Sequence, residues 1–150
     1  MSKRGVLGVA LVVSILVIAL PILGGQQQTT ADVIEDHFAN FCLADGSADI
    51  DAIMADYHPN AVQITPTDVL VGRDDIRASF EGLIAAFGGC GLIPNHDATA
   101  VVGPYGYIQW EWPELGVIFG ADTVYGSDTF VVKGGLIQLQ TVSMVPVSVP

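Results

Sequence analysis

The apolar residues of this chain recur first at helical spacing and then, beyond Gly89, at every second position. In DVIEDHFANFCLA, Ile34, Phe38 and Cys42 stand at i, i+4 and i+8, with Val33, His37 and Phe41 beside them, which predicts an amphipathic helix. Asp32 is placed to cap its amino end, with Glu35 as the return partner of a capping box. A second helix is predicted from Asp49, with Ile50, Ile53, Met54 and Tyr57 on one stripe and Pro59 closing it. NAVQITP alternates Val62 and Ile64 against Gln63 and Thr65, a short strand stopped by Pro66. The third helix, GRDDIRASFEGLIAAFGG, aligns Ile76, Phe80, Leu83, Ile84 and Phe87 on one face. Asp74 and Asp75 favour the dipole at its start, and Gly88 and Gly89 end it.

Period-two alternation then predicts strands near residues 98–102, 105–112, 115–120, 129–133 and 136–143, with KGG as a hairpin signal between the last two. Helices first and strands second give an α+β class, three helices covering one face of a curved antiparallel sheet. In YGYIQWEWPE, Ile108, Trp110 and Trp112 share the more apolar face, which is expected to look into the core or a cavity. Tyr105, Tyr107, Gln109 and Glu111 share the other, toward solvent or a partner subunit. The tail VPVSVP can extend an edge, its prolines arguing against a central strand.

The chain of 150 residues, 51% hydrophobic, suits one domain with an appendage. That appendage is residues 1–31: a basic start at Lys3 and Arg4, an uncharged run over residues 5–23, then a Gly/Gln/Thr stretch. As a helix the run would span about 28 Å, enough for a bilayer, while Pro21, Gly24 and Gly25 resemble the end of a cleaved signal peptide. Either form, signal peptide or membrane anchor, places the domain at residues 32–150 outside the cytoplasm, secreted or tethered. Beyond Arg4 only Arg73, Arg77 and Lys133 oppose 16 acidic residues, a field that excludes nucleic acid as a partner. Cys42 and Cys90 form either one disulfide or two buried thiols; neither adjoins a cation or lies in a C-x-x-C pair, so neither is a nucleophile.

The order of elements, together with YHPNAVQITP, GRDDIRASFEGL and GSDTFVVKGGLIQLQTVS, resembles the SnoaL-like branch of the nuclear transport factor 2-like (NTF2-like) superfamily over residues 32–143. The resemblance implies a sheet curled into a cone whose mouth holds a small molecule. It also implies a range of activities, including polyketide cyclases, isomerases, epoxide hydrolases, dehydratases and members without known catalysis. Homodimers are common among such look-alikes. Ketosteroid isomerase relatives carry an Asp base before the Pro that follows helix two, but here Thr65 stands there, and a neutral hydroxyl does not take a proton from carbon. Phe38 and Phe41 occupy the helix that would supply that group's Tyr donor. The Arg that epoxide hydrolase relatives need is missing from the strands, and Arg73 at the start of the third helix reads as structural.

SnoaL-type cyclases place an acid/base Asp on a late strand, and Asp122 and Asp128 are the candidates here. On one unbroken strand the two would share a face about 20 Å apart, too far to act together. Gly126 would allow either a turn that joins them or a bulge. Their plainer role is bonding to local backbone. Of the two, Asp128 sits in the stretch that matches the family hairpin and is the catalytic candidate; Phe41, Tyr57, Trp110 and Trp112 are the candidate pocket walls. His37, His58 and His96 lack metal-ligand spacing, His58 reads as a helix-end cation, and no cofactor motif is present. Three readings follow. One is a domain holding a small, mostly apolar molecule without catalysis. Another is a cyclase, isomerase or dehydratase using Asp128. The third is a dimerisation or interaction module working through the Tyr105, Tyr107, Gln109 and Glu111 face.

Overall fold

The computed structural model describes residues 27–148, so the apolar leader read at residues 5–23 lies outside the described residues. Helix α1 (Thr30–Ala39) starts earlier than the pattern predicts. Its N-cap is Thr29, whose hydroxyl accepts from the Asp32 amide at 3.2 Å while the Asp32 carboxylate accepts from the Thr29 amide at 2.9 Å. The capping box is therefore Thr29 with Asp32, not Asp32 with Glu35, because the same three-residue spacing occurs one turn earlier.

Helix α2 (Ile50–Ala55) begins at the N-cap Asp49, whose carboxylate accepts from the Ala52 amide at 2.9 Å. It ends before Tyr57, so Tyr57, His58 and Pro59 belong to strand β1 (Tyr57–Ile64) rather than to the helix. The carbonyls at this corner are taken by distant donors: the Ile137 amide on Asp56 at 2.7 Å, and the Arg73 Nε on Tyr57 at 2.6 Å. Those bonds draw the chain out of the helix and into the sheet. They also remove the helix-end role read for His58, whose Nδ1 instead accepts from the Asn60 amide at 3.2 Å. Arg73 has the structural role its position suggests.

After a short edge strand β2 (Val69–Val71), absent from the pattern, α3 (Arg73–Phe87) forms over the residues predicted for it. Strands β3 (Ile93–Val102) and β4 (Tyr105–Trp112) follow as an antiparallel pair. The strand predicted over residues 115–120 is replaced by helix α4 (Pro113–Gly116) and one 3-10 turn, Val117–Phe119. Pro113 occupies the first helical position, where its fixed φ and missing N–H cost nothing, and the uncharged run from Leu115 to Phe119 carries no alternation to mark a strand. Strands β5 (Thr123–Lys133) and β6 (Leu136–Val147) close the chain, both longer than predicted.

The sheet order is β2-β1-β6-β5-β4-β3. It is mixed rather than antiparallel, because β1 and β6 run parallel. No hairpin links these two strands; α3, α4 and four other strands intervene, so no tight turn sets their direction. The prolyl tail is accommodated because β6 passes beyond β1 at Thr141, leaving Pro146 with the single neighbour Val124 on β5.

Helix α1 covers β3, β4 and β5, and α3 covers β1 and β2. The contact with β4 is close: a Cβ at Gly106 would lie 2.2 Å from Ile34 Cδ1, so any larger residue there would have to turn the end of the Ile34 side chain aside. Ile34, Ile53, Tyr57, Ile76, Ile108, Phe130 and Ile137 form the fully buried centre. A disulfide between Cys42 and Cys90, with Cα atoms 4.5 Å apart, ties the segment after α1 to the turn after α3.

Candidate functional site

The helices do not fill the curve of the sheet, and the space left is a cavity of about 250 Å³. Its walls are the rings of Phe41, Phe80, Trp110 and Trp112, with Leu83 and Leu92 beside them and the 3-10 turn residues Ile118 and Phe119 at the rim. Polar groups enter this apolar surface from β1, β5, β6 and α1: Gln63, Asp128, Gln140 and His37. An apolar cavity of 150 Å³ accepts benzene, so this one suits a molecule of roughly one or two rings.

Asp128 is 4% exposed and takes the inward phase of β5 with Val124, Phe130 and Val132. Trp110 Nε1 donates to its Oδ1 at 2.8 Å and Gln140 Nε2 to its Oδ2 at 2.6 Å. Gln140 Oε1 in turn accepts from Gln63 Nε2 at 2.7 Å and from the Tyr57 hydroxyl. Burial raises the Asp128 carboxyl to about 6, against the opposing pull of the Trp110 and Gln140 hydrogen bonds and the charge of His37. The same burial, with the charges of Asp128 and Asp56, pushes the Tyr57 phenol well above its ordinary value.

Gly126 proves to be neither turn nor bulge. It pairs in unbroken register with Trp110, and a Cβ there would lie 2.1 Å from Trp110 Cζ2. The missing side chain is the seat of the indole, and the seated indole aims Nε1 at Asp128. Asp122 precedes β5 and its amide donates to the Val147 carbonyl at 3.1 Å. Because the strand runs straight on, the two carboxylates are not brought together.

Of the candidate walls, Phe41, Trp110 and Trp112 line the cavity, whereas Tyr57 lies wholly buried behind it, touching the lining residues Gln140, His37 and Phe80. The pattern did not single out Gln63, Gln140 or His37. The alternation of β1 puts Gln63 on the outward phase of its strand, yet it is 2% exposed while Ile64 points out at 40%. The available signal was the strand's partner: an inward glutamine is tolerated because another strand supplies its hydrogen bond.

His37 is 1% exposed and edges against the rings of Phe38, Phe41, Tyr57, Phe80 and Phe130. Its Nδ1 faces Asp56 Oδ2 at 3.6 Å. On the opposite face of the sheet, Tyr107, Gln109, Glu111, Tyr125 and Ser143, with the apolar Ile93 and Val145, border an open groove of about 550 Å³. The groove is larger, but the buried carboxylate and its donors lie in the cavity. Among the described residues no group of three or more His, Cys, Asp or Glu is placed to hold a metal ion. Among them, too, no helix is long and apolar enough to cross a membrane.

Solved structures share this architecture. An NTF2-like protein of unknown function from Cytophaga hutchinsonii superposes with a TM-score of 0.62 at 14% identity, covering 81% of this chain and 95% of that one. An NTF-2 like protein of unknown function from Burkholderia xenovorans gives 0.60 at 14% identity, covering 81% and 87%. A hypothetical protein with a ketosteroid isomerase-like fold from Catenulispora acidiphila, crystallised with trimethylamine, gives 0.57 at 12%, covering 77% and 86%. At such identities the likeness is one of fold. No curated protein matches the sequence. The SnoaL-like domain family model matches residues 34–139, from the first helix into the start of the closing strand; the chain belongs to the SnoaL-like family and has the NTF2-like fold.

Proposed function

We propose that the cone holds a small, mostly apolar molecule of one or two rings and that Asp128 moves a proton to or from it, as in an isomerisation, cyclisation or dehydration. The observation that carries this reading is the buried carboxylate at the cavity wall, held by Trp110 and Gln140 and raised by its burial to about 6. A group poised there is available both as base and as acid. Aromatic walls supply affinity and Asp128 supplies orientation, which is the usual division of labour in a small-molecule pocket.

Deuterium exchange at the α-carbon of small ring ketones, such as 1-indanone, followed by NMR in D2O, tests the reading. The wild-type protein should accelerate exchange saturably, Asp128→Asn should lose about a hundredfold or more of the acceleration, and Leu83→Trp should block the cavity. Rings around a carboxylate also favour a second reading, in which a small amine cation is held without turnover; the Catenulispora protein is in complex with trimethylamine. Binding of trimethylammonium that depends on Asp128, with no ketone exchange, would support that reading over the first.

The basic start and apolar run of the leader, together with the Cys42–Cys90 bridge, support a place outside the cytoplasm. Protease added to intact expressing cells would degrade an exported domain and spare a cytoplasmic one.

A further inference from the structure

His37 is a buried base that the reading above leaves without a task. It stands on α1, the helix over the cavity, while Asp128 reaches the same cavity from β5. The charged groups that face it are Asp56, at the corner between α2 and β1, and Asp128; its other neighbours are aromatic rings, of which Tyr57 carries the one titratable proton. Nδ1 of His37 and Oδ2 of Asp56 are both sealed from solvent, and neither has a hydrogen-bond partner. They face one another at 3.6 Å, a short movement from contact. The position of Asp56 is not incidental, since its carbonyl is pinned by the Ile137 amide at 2.7 Å.

We propose that His37, oriented by Asp56 through Nδ1, presents Nε2 to the cavity as a second proton-transfer group working with Asp128. The inference rests on the acid/base reading of Asp128 and adds the partner that such chemistry lacks. With a ketone bound, the Asp128 carboxylate takes a proton from the α-carbon as the C–H pair becomes the C=C bond of an enol. The His37 imidazolium gives its Nε2 proton to the carbonyl oxygen, and the proton on Nδ1 stays with Asp56. Asp128 then returns a proton to the same carbon, its own having exchanged with solvent, while the oxygen returns its own to Nε2. The result is a reversible enolisation with no oxidant, reductant or co-reactant. Asp56 is a positioning residue in this scheme, acting through the imidazole.

The experiment is 15N NMR of the histidine-labelled full-length protein at alkaline pH, combined with the pH profile of ketone exchange. In the wild type, the neutral His37 ring should carry its proton on Nδ1 and leave Nε2 free; Asp56→Ala should move the proton to Nε2, and Asp56→Glu should restore it. His37→Gln should lose about a hundredfold of the exchange rate and one limb of the pH profile. His37→Phe, which keeps the aromatic packing, separates loss of the base from loss of the fold. An Nε2–H tautomer in the wild type, or an unchanged profile in His37→Gln, would overturn the inference. Absence of exchange in the wild type would instead sink the reading of Asp128, and the tautomer would still decide whether His37 and Asp56 are a pair.

Discussion

Replacing Asp128 by Asn should change how stability depends on pH, and the size of the change follows from the site. The folded carboxyl binds its proton with a pKa of about 6, against 3.8 for the ordinary group. Between those values the folded state holds more protons than the unfolded one, so stability falls as pH rises through the window. A shift of that size corresponds to about 3 kcal/mol at 1.36 kcal/mol per unit, of which about 2.5 kcal/mol lies between pH 4 and pH 7. Asparagine has no charge to bury, so the variant should lack this slope. It will carry a pH-independent penalty instead, because its amide nitrogen must face either Trp110 Nε1 or Gln140 Nε2, leaving one donor unpaired at a cost of about 1–3 kcal/mol. That penalty cancels when two pH values are compared. Urea unfolding followed by the fluorescence of the buried Trp110 and Trp112 at pH 4, 5, 6 and 7 measures the difference directly. The wild type should gain about 2.5 kcal/mol over the variant on going from pH 7 to pH 4. A difference that stays flat would refute the argument. A difference of opposite sign would show that Trp110 and Gln140 stabilise the anion by more than burial costs it.

Three further perturbations probe the supports of the site. Gly126→Ala should force the indole of Trp110 aside and break its bond to Asp128, destabilising by about 2–5 kcal/mol in urea unfolding. A loss below about 1 kcal/mol would mean that the ring has room to move. Gln63→Leu and Gln140→Leu should be non-additive by about 1 kcal/mol or more in a double-mutant cycle, since one amide oxygen serves both Gln63 and Tyr57. Removing both cysteines by Cys42→Ser and Cys90→Ser should lower stability by up to about 4 kcal/mol, the loop-closure value for a separation of 48 residues. Thermal unfolding with and without reductant reads the same bond in the wild type.

What was legible in the sequence was local. Helix α3 announces itself through Ile76, Phe80 and Phe87 and through the glycines that stop it, and the inward phase of β4 through Ile108, Trp110 and Trp112. Boundaries failed where tertiary bonds decided them, as at Asp56 and Tyr57, whose carbonyls are claimed from β6 and α3. The run from Leu115 to Phe119 failed for a different reason: without alternation, a helix and a buried strand look alike.

The polar residues of the site show where such reasoning stops. Asp128 is detectable by phase, because it shares its side of β5 with Val124, Phe130 and Val132, and a carboxylate in that row must find donors. Which donors it finds depends on sheet order. Gln140 is within reach because β6 lies beside β5, and Gln63 because β1 lies on the other side of β6, in parallel register with Gln63 opposite Gln140. Seventy-seven residues separate those two glutamines, and no turn or spacing links them. Gly126 makes the same point from the other direction, since a glycine that reads locally as a turn or bulge is required by the indole across the ladder. Sequence periodicity can therefore mark a strand residue as inward, whereas the chemistry available to it is set by non-local register.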